Sequence, residues 1–288
     1  MRDKPIRWSI VGVGQAGQRR AAAIQADPDA VLVSVFRGRY APTIGVPVAA
    51  TIEDAIGLAD AVYVCTPLEV HAYQVELALG SGRAVVCEYP VALNYDDAAN
   101  LFDIADEMGV VLHVGHIELL SGVARTLSAH VQPEEVREAE IFFSSPAAAV
   151  PGTELGFRNV ARLHRLLAVT GPVSEILSIE SSDGELLAQF ALESGYKANI
   201  GFRQGPGLTR HTILEFKTTR NRWRQVDRDL FLDGRPTTVL DQGPVFDADH
   251  RMAMDRICHG AAPYVSNERI LEVLKIAQAL KDNRTGPL

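Results

Sequence analysis

The chain has 288 residues, 47% of them hydrophobic and 22% charged, with a net charge of −8. That balance suits a globular protein of one large or two ordinary domains, and excludes a disordered or fibrous chain. The acidity argues against broad nucleic-acid binding. The absence of a basic-then-apolar leader, or of an apolar run near ~18 residues, leads us to expect a soluble, cytoplasmic protein with no membrane partner.

The first part alternates short apolar runs with helix-like stretches. "IRWSIVGVG" reads as a strand running into glycines, "QAGQRRAAAIQAD" as a helix and "AVLVSVF" as a second strand. "TIEDAIGLA" is a short helix opened by a Thr cap, followed by the strand "DAVYVCTP", the helix "EVHAYQVELALGSG" and the strand "AVVCEYP". "NYDDAANLFDIADEMG" and "VVLHVGH" close the series as helix and strand. Strands of near-continuous apolar residues alternating with helices imply a parallel sheet covered on both faces. After about residue 122 the rhythm changes. "VREAEIFFSS", "VSEILSIESSD", "ELLAQFALE", "YKANIGFRQ" and "TILEFKTT" read as strands in series, flanked by helical stretches near 159–169, 246–259 and 267–282. The expected architecture is an α/β Rossmann-type dinucleotide-binding domain over residues 1–122. An α+β domain with a large, mostly antiparallel sheet follows over 123–288.

"GVGQAG" spans Gly12, Val13, Gly14, Gln15, Ala16 and Gly17 between a strand and a helix. In that context the first glycine permits a tight turn, the second lets backbone approach a pyrophosphate, and the third lets helix and strand pack closely. At the end of the second strand, where an acid would hold the ribose 2′-hydroxyl of NAD, the chain has Arg37 and Arg39. Guanidinium groups pair with a 2′-phosphate and a carboxylate would repel it, so NADPH is expected to be preferred and NADH to be weaker. Thr66 and Pro67 end the third strand, where ligands of open α/β sheets bind, and His71 follows on the next helix. The three cysteines, Cys65, Cys87 and Cys258, lack metal-ligand spacing. Cys65 and Cys87 sit in apolar strand-like runs and read as buried thiols. His113 and His116, three apart on an extended segment near Glu118, do not share a face and make a poor metal site.

"VGVGQAG", "CTPLEVH" and "EYP" after the fourth strand together resemble the Gfo/Idh/MocA oxidoreductase superfamily. Its usual signature has a catalytic lysine where this chain has Tyr89; the Glu-Tyr-Pro form of Glu88, Tyr89 and Pro90 resembles the biliverdin reductase branch. "HVGHIELL" (113–120), "GPGLTR" (205–210) and "GFRNVARLHRLLAVTG" (156–171) agree with that branch, and Arg162 and Arg165 look most like its cyanobacterial members. The segment "SSPAAAVPGTELGF" before the substrate-side helix looks truncated.

The resemblance implies NADPH-dependent reduction of biliverdin to bilirubin. Hydride goes to the central methine carbon and a proton to a pyrrole nitrogen, with the tetrapyrrole over the open face of the second sheet. It places Gly12 to Gly17, Arg37, Arg39, Thr66, Pro67, His71, Glu88 and Tyr89 at the cofactor. Tyr89, His116, Glu118, Arg162, Arg165 and Arg210 fall on the substrate side. Arg162 and Arg165 would form the proton-relay pair, one turn apart and facing one ligand. Tyr89 would position the ring system, with proton donation as its alternative role. Alcohol oxidation needs a base for the hydroxyl proton; reduction of a conjugated tetrapyrrole does not, which fits a site without that lysine. The alternatives are a relative acting on a sugar, inositol or imine, and a non-catalytic NADPH-binding protein. Either a monomer or a homodimer suits the family.

Overall fold

The computed structural model describes residues 4–241 and 243–288. Strands β1 (Ile6–Val11), β2 (Ala30–Phe36), β3 (Ala61–Val64), β4 (Ala84–Glu88) and β5 (Leu112–Gly115) form a parallel sheet in the order β2-β1-β3-β4-β5. Helices α1 (Gln15–Ala26), α2 (Ile52–Leu58), α3 (His71–Gly80) and α4 (Tyr95–Met108) make the connections. Thr51 and Asp54 close a reciprocal capping box on α2, and Asn94 caps α4. Strand β3 is buried throughout and Trp8 stacks on Tyr63 at 4.7 Å, as expected where both faces of a sheet are covered. The strand order reverses at β1, which opens a crevice at the carboxyl ends of β1 and β3.

The second sheet has nine strands among the described residues. After α5 (Gly122–His130) come β6 (Val136–Ser145), the short α6 (Leu155–Arg158) and α7 (Val160–Thr170). Strands β7 (Val173–Ser182), β8 (Glu185–Leu192), β9 (Lys197–Gln204), β10 (His211–Thr218), β11 (Arg222–Val226), β12 (Asp229–Leu232) and β13 (Arg235–Thr237) follow. The order is β13-β12-β11-β10-β6-β9-β8-β7-β14, with β14 (Gly286–Pro287) on the edge. Its pairs are antiparallel except β6 with β9, which run parallel. A chain of hairpins would not give that pair: β6 is the central strand, the chain starts again at β7 near one edge, and β8 and β9 build inward to β6 before β10 pairs on its other side. Strand β8 alternates buried and half-buried along its length, the period-two pattern of a sheet covered on one face.

The domain division differs from a single cut at 122/123. One compact unit comprises the residues up to Ile117 together with Gly243–Leu271; the other runs from Glu118 through residue 241 and takes up Glu272–Leu288. The returning segment carries α8 (Val245–His259) and the start of α9 (Asn267–Lys281). It joins the first unit because α8 buries Phe246, Asp249, His250, Ala253 and Met254 as one stripe, and Ala253 and Met254 enter the core around Trp8, Ile10, Ile24 and Tyr63. Each large apolar side chain buried in that way contributes about 1.5–3 kcal/mol.

Candidate functional site

The first unit carries a built dinucleotide loop. The Gly12 N–H donates to the Phe36 carbonyl at 2.9 Å and the Val13 N–H to the Arg37 carbonyl at 2.9 Å; the Tyr40 N–H donates to the Val13 carbonyl at 3.0 Å. The loop is thus laced to the end of β2. Gly12 has φ 93°, and a Cβ there would lie 2.6 Å from Thr66 Cγ2. A Cβ on Gly17 would lie 2.3 Å from the Gly12 carbonyl oxygen. Gly14 differs: nothing lies within 4 Å of its Cβ position. Its missing side chain leaves open the space a pyrophosphate takes, as the sequence pattern requires. The first turn of α1 has no acidic residue and no side-chain cap on Gly14, so its N–H groups are left to an anion. These residues fit a dinucleotide.

Arg37 and Arg39 are exposed and carry no ion pair among the described residues. Each guanidinium lies over its aromatic neighbour, Arg37 at 5.1 Å from the Phe36 ring and Arg39 at 5.6 Å from the Tyr40 ring. The Thr66 hydroxyl donates to Gln74 Oε1 at 2.6 Å, and Pro67 is exposed beside it. His71 is buried, not a surface residue, and both ring nitrogens lie 2.8 Å from carbonyl oxygens, those of Pro90 and Thr66. Its ring is therefore spent on joining the segments that follow β3 and β4.

The Glu88 carboxylate is held by Arg20 Nε at 2.7 Å. Tyr89 is half-buried and sits edge-on to the buried His116 ring at 4.1 Å; burial pushes its phenol well above the usual range. Behind them is a cluster that motif reading missed. Arg20, fully buried, donates through Nη1 to Asp249 Oδ2 at 2.5 Å. Asp249 Oδ1 also accepts from the Tyr264 hydroxyl at 2.7 Å and lies 3.1 Å from His113 Nε2. Burial alone would raise the Asp249 carboxyl, but Arg20, His113 and Tyr264 hold it well below the usual carboxylate range. A signal was present in the sequence: Arg20 lies on the buried stripe of α1 with Gly17, Ala21 and Ile24, and Asp249 on that of α8. Opposite charges on the apolar faces of two helices point to a buried pair.

The second unit brings together Glu118, Arg162 and Arg210. Arg162 Nη1 pairs with Glu118 Oε1 at 2.8 Å, and its guanidinium lies 4.1 Å from the centre of the buried Phe143 ring. Arg210, exposed, lies 5.9 Å from the same ring. Arg162 Nε is buried without a hydrogen-bond partner. Burial lowers the Arg162 pKa, Glu118 opposes the shift, and Arg210 adds to it. Arg165 is buried, and Nη2 donates to Gln225 Oε1 of β11; Glu118 and Arg162 both lie near enough to act on its charge.

Residues 6–116 match the model of the oxidoreductase family with an NAD-binding Rossmann fold, the Gfo/Idh/MocA family. Biliverdin reductase A of Mus musculus is 29% identical over 223 residues, covering 73% of this chain and 75% of that one. A crystal structure of biliverdin reductase from Synechocystis sp. PCC 6803, in complex with biliverdin and NADP+, superposes with a TM-score of 0.86 at 26% identity, over 98% of this chain and 99% of that one. A 1,5-anhydro-D-fructose reductase of Ensifer adhaerens is 34% identical, but over 119 residues, 38% of this chain and 36% of that one. The chain is an NAD(P)H-dependent oxidoreductase whose residues 6–116 are similar to the NAD-binding domain of the Gfo/Idh/MocA family.

Proposed function

We propose that the protein reduces biliverdin to bilirubin with NADPH: hydride adds to the central methine carbon, a proton adds to a pyrrole nitrogen, and NADP+ is released. The observation that carries this reading is the group of cations in the second unit, where Arg162, paired with Glu118, stands near Arg210. A conjugated dicarboxylate needs cations for its propionates, and an uncharged sugar does not. The likeness to biliverdin reductases over most of the chain supports it, whereas the sugar-type relative is similar over a stretch too short to span both units. Tyr89 in place of lysine supports it as well, since no hydroxyl proton has to be removed.

In this reading Gly12 to Gly17 and the first turn of α1 hold the pyrophosphate, and Arg37 and Arg39 hold the 2′-phosphate that favours NADPH over NADH. The cofactor, when bound, supplies the hydride. Tyr89 orients the ring system beside Glu88. Arg162 directs its N–H groups at a pyrrole or a bridging water, and its burial makes it a stronger donor than a solvated guanidinium. Arg165 is the second member of the proton-relay pair, and Arg210 meets a propionate.

The test is direct. Purified protein is mixed with biliverdin IXα and NADPH, and the green absorbance is followed as the yellow one grows. Conversion is the expected result. NADPH binding with no conversion would refute the bilin reading.

A further inference from the structure

We infer that Arg20 is the positioning residue of Tyr89, holding it through two arms that leave one buried guanidinium in different directions. The inference rests on the reading above only in giving Tyr89 a part in the reaction.

The first arm is short. Arg20 Nε donates to Glu88 Oε1 at 2.7 Å, and Glu88 is the chain neighbour of Tyr89. The second arm is longer. Arg20 Nη1 donates to Asp249 Oδ2 at 2.5 Å, and the Tyr264 hydroxyl donates to Asp249 Oδ1 at 2.7 Å. The same hydroxyl oxygen accepts from the His116 backbone N–H at 2.6 Å, and the His116 ring meets Tyr89 edge-on at 4.1 Å. One arm thus ends on the side chain of the residue before Tyr89, and the other on the ring packed against it.

Gly115 completes the arrangement. A Cβ there would lie 2.7 Å from Arg20 Nη2 and 3.1 Å from Asp249 Oδ2, so the guanidinium fits only because this position has no side chain. Net stability is a poor reason for such a cluster, because a buried ion pair gains little over well-packed apolar groups. What a guanidinium does that an apolar residue cannot is fix two acceptors in one plane. Arg20 is itself clamped, its guanidinium 5.1 Å from the Tyr63 ring and 4.7 Å from the Phe246 ring. Arg20 touches neither reacting group; it acts through Tyr89.

Arg20→Lys keeps the charge and loses the fork, so it separates geometry from electrostatics. With biliverdin and NADPH, kcat falls about tenfold while the KM for NADPH changes less than about threefold. In a Tyr89→Ala background, Arg20→Lys costs kcat less than about twofold, because the residue it positions is gone. Full, additive loss in that background overturns the inference, since a generally loosened domain would lose activity whatever stands at 89. Tyr264→Phe is the gentler variant should Arg20→Lys not fold. It removes one hydroxyl from the second arm, and its loss of kcat must likewise vanish in the Tyr89→Ala background. Should the wild-type protein not turn over biliverdin, the functional reading fails and the inference is decided without substrate. In 3-fluorotyrosine-labelled protein, the fluorine line assigned by its loss in Tyr89→Phe shifts in Arg20→Lys. An unmoved line overturns the inference.

Discussion

Changing Arg37 and Arg39 together to alanine tests the cofactor side most sharply, because the structure says which parts of those residues the change leaves alone. The Arg37 carbonyl accepts from the Val13 N–H at 2.9 Å, a backbone contact that alanine retains. Arg37 sits at φ 52°, and alanine bears that conformation at no greater strain than arginine does. Among the described residues neither guanidinium is tied to a carboxylate, so no partner there is stranded. What goes is a pair of exposed cations steadied over Phe36 and Tyr40. Each charge-assisted bond to a 2′-phosphate contributes about 1.5 kcal/mol at such an exposed place, the low end of the range. Two give about 3 kcal/mol, or roughly 150-fold in the NADPH dissociation constant at about 1.4 kcal/mol per decade. NADH, which lacks the phosphate, changes less than about twofold. Fluorescence titration of both cofactors reads the difference. The effect shrinks as salt is raised, because the charges are solvent-exposed. Equal weakening of both cofactors would refute the assignment.

Gly38→Ala is the contrasting perturbation. Its Cβ would lie 2.3 Å from the Val13 nitrogen, at φ 114°, so the glycine loop must shift. NADPH and NADH then weaken alike, by about tenfold or more, and the thermal midpoint falls, as the same titrations and a melting curve will show. Arg162→Ala lowers biliverdin turnover by about 100-fold and leaves the NADPH dissociation constant within about twofold, because Arg162 belongs to the other unit; equal loss of NADPH affinity would sink its substrate-side role. Asp249 governs acid stability. Its folded-state carboxyl lies below the unfolded value of about 3.9, so below about pH 5 the unfolded chain takes up a proton the folded chain refuses, and stability falls with pH. Asp249→Asn is less stable at pH 7 by about 3 kcal/mol, since it leaves Arg20 short of a partner, and its melting temperature is flatter below pH 5. An unchanged acid limb would exclude Asp249 as its source.

The α/β half was legible in the sequence because its strands are apolar on both faces and its glycines do separate geometric tasks. "AVLVSVF" and "VREAEIFFSS" coincide with β2 and β6 to the residue. Strands β11 to β13 were not legible: "RWRQV", "DLFL" and "RPT" are short and crowded with charge, and they hold their place by pairing outward from β10. The parallel pairing of β6 with β9 was hidden for another reason. Alternation shows that a strand exists but not which neighbour it takes. The return of 243–271 to the first unit was equally hidden, because helix periodicity marks an apolar face without saying what covers it. Single motif residues were found and their couplings were not. Glu88 was visible, but Arg20, which holds it, lies 68 positions away.

The proposed anionic substrate is compatible with an acidic chain because the second unit gathers positive charge locally. Around Glu118 stand the guanidiniums of Arg162 and Arg165, and Arg210 acts on Arg162 in turn. Three cations against one carboxylate leave two positive charges in a protein whose net charge is −8. Burial already disfavours the charged forms of Arg162 and Arg165, and each cation further disfavours its neighbour. An incoming carboxylate relieves that repulsion, whereas a neutral polyol does not. In the proposed reading the two propionates answer the two uncompensated charges. On the proposed reading this local excess of charge would favour an anionic substrate over a neutral one before any reacting atom is in place.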